Sequence, residues 1–308
     1  MGHHNKKILI IGSSGLVGSN LLSFCPTDSF LTIPTFHRYL PDAYRQTGLY
    51  LDITNPAALR ETVKTVKPDC VVNLSCMEVA RCEDDPAGAY QVQVAGVRDL
   101  ARTCKENNMR LIQLSTDMVY SGEKGTPYTL QDTPDPISVY GKTKLSGERA
   151  IEEVGGNYVI VRSGLVLGRG RFRRGGFLDW MVERIAGEEK LPLFTDQLRT
   201  PMVVDDLIDT IFTLAESPFA GILLAGGDEA VNRVEIGEKL LHAMGVSRAL
   251  IKPVAMDSVK QTVPLHRDLR LDNAALKAVV GRECFTSIDD YFARGVKSTF
   301  DSCPGKRA

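Results

Sequence analysis

A tyrosine and a lysine four residues apart, Tyr140 and Lys144, lie in the segment Tyr140-Gly141-Lys142-Thr143-Lys144 and share one face of any helix formed there. A phenol with a pKa near ~10 is a poor acid–base group at neutral pH. Positive charge alongside, such as an ammonium, favours its phenolate, lowers that value, and makes the tyrosine able to protonate a developing alkoxide. Upstream, Ser115-Thr116-Asp117 offers the Thr116 hydroxyl for a second hydrogen bond to the same substrate oxygen. The alternative is an ordinary exposed helix pair. The order of the chain favours chemistry, because a glycine-rich turn comes first, the hydroxyl second and the Tyr/Lys pair third.

The glycine-rich turn is Gly12-Ser13-Ser14-Gly15-Leu16-Val17-Gly18, with glycines at the first, fourth and seventh positions. Such spacing lets the first glycine turn tightly, the next admit a pyrophosphate to the backbone, and the last pack helix against strand. The phosphate then rests on the helix N-terminus; otherwise this is a tight turn with nothing bound. NAD-selective sites carry an acid about twenty residues on, yet no acid occurs between Ser29 and Pro41. The run Phe30 to Phe36 ends instead in His37-Arg38. A guanidinium there can pair bidentately with a ribose 2′-phosphate, which predicts NADP(H), with NAD(H) as the less favoured cofactor. The competing reading of Arg38 is a solvated surface arginine, and Pro34 fits poorly inside a central strand.

These groups need strands and helices to hold them. Lys7 to Ile11 is an apolar, β-branched run that breaks at the glycine turn, after which Leu16, Val17, Leu21 and Leu22 recur at helical spacing. Further apolar runs at 70–74, 110–114 and 158–162 alternate with helical patterns around 56–67, 86–106 and 138–154. Such alternation implies βαβ units and an α/β, doubly wound parallel sheet covered on both faces. Hydroxyl groups at the carboxyl ends of its strands stand where open α/β sheets bind ligands. Beyond residue 163 the rhythm loosens into a basic, Gly-rich stretch at 169–176 and helical patterns near 177–187, 203–216 and 233–243, with Gly221 to Ala225 as one more strand. The expected organisation is a dinucleotide-binding unit over 1–162, a smaller substrate-binding region over 163–308, and interleaving of later segments around 199–225.

The residues resemble the extended short-chain dehydrogenase/reductases, and within them the branch that contains dTDP-4-dehydrorhamnose reductase. The resemblance covers nearly the whole chain and rests on GSSGLVG at 12–18, LSTDMVYSG at 114–122, PDPISVYGKTKLSGE at 134–148, VRSGLVLG at 161–168, RTPMVVDDL at 199–207 and LRLDNAAL at 269–276. It implies that Tyr140 donates the proton, Thr116 polarises the carbonyl, and Lys144 holds the nicotinamide ribose and tunes Tyr140. It further implies that Gly12, Gly15, Leu16 and Val17 face the pyrophosphate, Asp52 and Ile53 border the adenine, and Leu74 and Ser75 line the cofactor path. The implied reaction is reduction of a ketone on a nucleotide-linked deoxysugar. Leu165 stands where the rhamnose-forming enzymes usually have tryptophan, and Gln93 where many relatives have asparagine, so the sugar pocket is expected to differ. Met77, Asp117 and Leu165 are substrate-contact candidates. Two other functions belong to similar proteins: a sugar-nucleotide epimerase, and a non-catalytic NADP-binding regulatory subunit like the β subunit of methionine adenosyltransferase.

Composition excludes other classes. The 37 basic and 38 acidic residues, net −1, are spread along the chain and leave no footprint for nucleic acid or a membrane surface. Seven cysteines form no CxxC pair, Cys76 and Cys82 included, which argues against a disulfide framework or zinc site and for a reducing, cytoplasmic compartment. His242 and His266 have no partner at ligand spacing, Asp205 and Asp206 read as helix-opening carboxylates, and no metal is expected. Arg169, Arg171, Arg173 and Arg174 form either a solvated loop or a contact for an anionic nucleotide. His3 and His4 are assigned no role, and the oligomeric state stays open.

Overall fold

The computed structural model describes residues 5–300 apart from Leu40, Arg174 and Gln261, with side chains described as far as Gly295. Of the residues considered above, His3, His4, Arg174 and Cys303 therefore lie outside the described set.

Seven parallel strands form the central sheet: β1 (Lys6–Ile11), β2 (Phe30–Phe36), β3 (Leu49–Tyr50), β4 (Cys70–Asn73), β5 (Arg110–Thr116), β6 (Tyr158–Ser163) and β7 (Gly221–Ala225). Their order is β7-β6-β5-β4-β1-β2-β3, so the winding reverses between β1 and β4 and opens a crevice at their carboxyl ends. Side chains alternate across the sheet as a two-residue period requires. Ile8 and Ile10 of β1 enter one core with Val72, Ile112 and Val161, under Leu207, Ile208 and Ile211 of the helix Val204–Glu216. Leu9 and Ile11 enter the other with Val71, Leu111 and Ile160, under Leu59, Val97, Leu100 and Ile151 from three further helices. Each strand of the middle is apolar on both faces because helices cover both.

After β6 the chain leaves the sheet before it adds the last strand. β7, reached only after a long excursion, pairs in register with β6 from Gly221↔Val159 to Ala225↔Ser163. The excursion and the C-terminal segments build a separate apolar cluster that includes Leu167, Leu178, Met181, Ile236, Ile251 and Phe292. Pro34 is accommodated because β3 pairs only with Thr35 and Phe36, leaving the proline beside a stretch of β2 without that outer neighbour. The helical pattern at 86–106 is not one α-helix. A π-helical turn at Gln91–Ala95 separates Pro86–Tyr90 from Gly96–Glu106, and such insertions are frequent at functional sites.

Candidate functional site

At the end of β1, Gly12 adopts φ +88°, and a Cβ there would sit 2.9 Å from both the Leu74 carbonyl carbon and the Ser75 nitrogen at the end of β4. Only glycine permits that turn at the crevice. A Cβ on Gly18 would meet the Gly12 oxygen at 2.5 Å, so helix and turn are in direct backbone contact. Gly15 differs: its Cβ would find nothing closer than the Gly12 oxygen at 3.6 Å, and Gly15 caps the helix Leu16–Ser23 with no side-chain hydrogen bond. The helix N-terminus with the Leu16 and Val17 amides is thus an anion cradle left open on the Gly15 side, which fits the pyrophosphate of a dinucleotide. Ser13 braces it, its Oγ donating to Ile10 O at 3.0 Å and accepting from Thr35 N at 3.2 Å.

Beyond β2 the chain bends through exposed His37 and Arg38. His37 Nε2 lies 3.4 Å from Asp52 Oδ2. Burial acts to raise the Asp52 pKa, but hydrogen bonds from Thr54 and the charges of His37 and Arg38 hold it below the ordinary carboxylate value. Ile53 is buried in the core beneath. Leu74 N donates to Ile11 O at 2.8 Å, and Ser75 Oγ to Asn73 Oδ1 at 2.6 Å, which fixes the β4 end of the same crevice.

Thr116 ends β5, and its hydroxyl donates to Asp117 Oδ1 at 3.1 Å while accepting from Met118 N at 3.2 Å. Tyr140 comes to it on the helix Val139–Val154, which starts from the Ser138 cap with Gly141 N donating to Ser138 Oγ at 3.1 Å. Glycines make the approach possible: a Cβ on Gly141 would collide with Met118 O, and one on Gly147 with Gln93 O. Burial first, then Cys76 and Asp117, push the Tyr140 phenol well above its ordinary pKa, and the Thr116 side chain against it acts in the other direction. The ammonium expected beside the phenol points elsewhere. Lys144 Nζ donates to Leu114 O at 2.8 Å, and burial lowers the lysine's own pKa. In the chain alone the phenol is therefore held protonated, the form that gives up a proton.

Met77 is buried, and its amide donates to Gln93 Oε1 at 3.1 Å. From within the π turn Gln93 Nε2 reaches Thr143 Oγ1 at 2.5 Å, joining the Met77 loop to the Tyr140 helix through one buried amide. Leu165 packs against the C-terminal apolar cluster.

Several groups near Asp117 have no signal in the sequence. Arg199 Nε faces Asp117 Oδ2 at 3.9 Å, while its terminal nitrogens donate to Leu198 O, Arg267 O and His266 O. Burial raises the Asp117 pKa and Arg199 opposes it. Arg233 Nε donates to Gln197 Oε1 at 2.8 Å, its guanidinium lies 4.4 Å over the Phe177 ring, and its Nη1 is buried without a hydrogen-bond partner. Burial and then Arg199 push the Arg233 pKa down to about 9, a cation short of an anion. His266 Nε2 is likewise buried and unpartnered. These residues come from five separate stretches, which is why no spacing rule finds them.

Among the described residues no group of three or more His, Cys, Asp or Glu could hold a metal ion, and no helix is long and apolar enough to cross a membrane. Asp206 is engaged in structure, accepting from Arg282 Nη1 at 2.7 Å and Thr286 N at 2.6 Å.

Known proteins match nearly the whole chain. The family model described as RmlD substrate binding domain matches residues 6–290. A probable low-salt glycan biosynthesis reductase, Agl14, of Haloferax volcanii is 28% identical over 92% of this chain and 95% of its own length. A dTDP-4-dehydrorhamnose reductase of Streptomyces griseus is 32% identical over 74% of this chain and 77% of its own. The crystal structure of dTDP-4-dehydrorhamnose reductase from Bacillus anthracis in complex with NADP superimposes with a TM-score of 0.84 at 21% identity, covering 96% of this chain and 100% of that one.

Proposed function

The chain belongs to the RmlD substrate-binding-domain family, and from that premise we propose that it reduces a keto group on a nucleotide-linked deoxysugar at the expense of NADPH. The observation that carries the reading is the meeting of Thr116, from the end of β5, with Tyr140, from a helix that only Gly141 and Gly147 allow so close. The relatives' names, reductases of glycan and rhamnose synthesis, support net reduction over the epimerase and regulatory-subunit alternatives.

Gly12, Gly15, Leu16 and Val17 would cradle the pyrophosphate, His37 and Arg38 the 2′-phosphate end, Asp52 and Ile53 the adenine, and Leu74, Ser75 and Lys144 the nicotinamide side. NADPH, when bound, supplies the hydride. The chain's own residues do the rest. Thr116 and Tyr140 orient the carbonyl oxygen, and Tyr140 gives it a proton as negative charge develops there. The phenolate left behind regains a proton from solvent. Lys144, anchored on Leu114 O rather than on the phenol, would hold the nicotinamide ribose from there. Asp117 and Met77 would border the sugar, with Leu165 on the side of the C-terminal cluster. Arg233, one nitrogen unpaired over Phe177, would take an anionic part of the substrate.

We divide the chain accordingly into a dinucleotide-binding unit over 1–162 and a substrate-binding unit over 163–308, with residues 199–225 returning to the first. A reducing cytoplasm fits free thiols such as Cys70 and Cys104, which burial pushes up to about 12.

The test is NADPH consumption, followed by absorbance, on addition of dTDP-4-dehydrorhamnose and a panel of related 4-keto sugar nucleotides. One NADPH should be consumed per ketone reduced. Tyr140→Phe should lower turnover by ~10²-fold or more while leaving the NADPH Kd within about twofold. Tight NADPH binding with no consumption on any ketone would overturn the reading in favour of a binding subunit, and epimerised product without net consumption would overturn it in favour of an epimerase.

A further inference from the structure

The basic segment at residues 169–173 does not run out over the C-terminal region; it crosses to the first helix and to the bend after β2. Asn20 Nδ2 donates to Arg169 O at 2.8 Å, Arg171 N donates to Ser19 Oγ at 3.0 Å, and Arg171 Nε to Asn20 Oδ1 at 3.0 Å. The Arg171 guanidinium lies 4.7 Å over the otherwise exposed Phe24 ring. Phe172 then sets its ring against Tyr44 at 5.4 Å, and its carbonyl accepts from Tyr39 Oη at 3.5 Å. Arg173 lies 5.7 Å over the Tyr39 ring. The foot of the segment is pinned by buried Asp179, which accepts from Arg169 Nε at 3.0 Å and from the Gly170 and Gly175 amides at 3.2 Å.

The two ends of this crossing are informative. The helix it grips is the one that opens at Gly15, and Tyr39 directly follows Arg38. A dinucleotide whose pyrophosphate rests on that helix N-terminus extends its adenosine toward the carboxyl end of β2, so residues 169–173 pass over that half of it. Arg38 and Arg173 are both exposed, and among the described residues neither side chain forms an ion pair or donates a hydrogen bond. Arg171 has its partners and Arg169 has Asp179, so the unmatched charge of the segment is concentrated at Arg173. Arg38 adjoins Tyr39 in the chain and Arg173 lies over the Tyr39 ring, so a phosphate monoester, near −2 at neutral pH, bound beside that tyrosine can accept from both.

Resting on the NADPH reading given above, we infer that residues 169–173 form a strap over the adenosine half of the cofactor and that Arg173 joins Arg38 in selecting the ribose 2′-phosphate. The strap ties cofactor choice to the smaller region, because its foot, Asp179, belongs to the helix Phe177–Ala186 in the C-terminal apolar cluster.

The experiment is equilibrium binding of NADPH, NADH, 2′,5′-ADP and 5′-AMP to the full chain, by nucleotide fluorescence for the first two and calorimetry for the others. Arg173→Ala should weaken NADPH and 2′,5′-ADP about tenfold and leave NADH and 5′-AMP within about twofold, with an unchanged melting temperature because the side chain is exposed. Arg173→Lys should retain most of the affinity. Phe172→Ala, which keeps both arginines but removes the contact with Tyr44, should lose part of the 2′,5′-ADP affinity as well. If Arg38→Ala weakens 2′,5′-ADP while Arg173→Ala and Phe172→Ala do not, the strap inference fails and the NADPH reading stands. If the unaltered chain binds 2′,5′-ADP no better than 5′-AMP, the NADPH reading itself fails.

Discussion

Replacing Glu148 tests whether one buried carboxylate holds the catalytic helix to β6, through Arg162, and to the Thr116 strand, through Ser115. Glu148 and Arg162 are both nearly inaccessible, with 1% and 6% of their side chains exposed. Arg162 donates through Nε at 3.2 and 3.0 Å and through Nη2 at 2.7 Å to the two carboxylate oxygens, and through Nη1 to Tyr120 Oη at 2.8 Å. Ser115 Oγ, adjacent to Thr116, donates to the same carboxylate. Glu148→Ala leaves a buried guanidinium without its counter-charge and a buried hydroxyl without its acceptor. Breaking such a pair costs about 3–5 kcal/mol, a large share of the ~5–15 kcal/mol that holds a domain folded. The melting temperature should fall on the order of 10 °C. Glu148→Gln keeps an acceptor but not the charge and should fall by roughly half as much. Both are measured by far-ultraviolet circular dichroism during heating. Turnover below the transition should also drop, since Ser115 precedes Thr116 and Glu148 lies one turn beyond Lys144. A Glu148→Ala protein melting within about 2 °C of the parent would refute the argument that this pair joins strand to helix.

The glycine turn separates folding from binding: Gly18→Ala, whose new methyl would lie 2.5 Å from the Gly12 oxygen, should destabilise the chain by ~1–3 kcal/mol, whereas Gly15→Val should fold normally and lose at least ~10-fold in NADPH affinity. Urea unfolding and fluorescence titration of the two proteins distinguish the effects, and equal stability loss in both would contradict the assignment of the open side of the cradle. His266 makes stability depend on pH: burial and then Arg199 hold it down to about 4, against 6.5 for a free histidine. The unfolded chain takes up a proton that the folded chain refuses, so this contribution, on the order of 3 kcal/mol, is complete above pH ~6.5 and is lost as the pH falls toward 4. Melting curves at pH 7 and pH 5 should show a decline that His266→Gln abolishes; an identical decline in that variant would assign it to other groups.

Local periodicity determined a great deal about this protein. The strands Lys6–Ile11, Phe30–Phe36 and Gly221–Ala225 are legible because a short, largely apolar run bounded by turn residues needs no knowledge of its neighbours. The glycine turn and the Tyr140/Lys144 pair are legible because each is a short contiguous stretch, 12–18 and 140–144. What only the tertiary structure decided is every contact made across the crevice. Gly141 and Gly147 read as weak helix positions in sequence, yet they are the points where backbone from residues 118 and 93 comes too near for a side chain. Gln93 appeared as a departure from relatives and proves to be a buried link between Met77 and Thr143. Lys144 turns to Leu114 rather than to the phenol, a choice made by burial and one carbonyl. Arg233, Gln197, His266 and the crossing of residues 169–173 onto Tyr39 and Tyr44 follow from packing between segments far apart in the chain. Hydrophobic pattern fixes which face of an element is buried, but not against which distant polar groups, because those pairings are selected by the closure of the whole core.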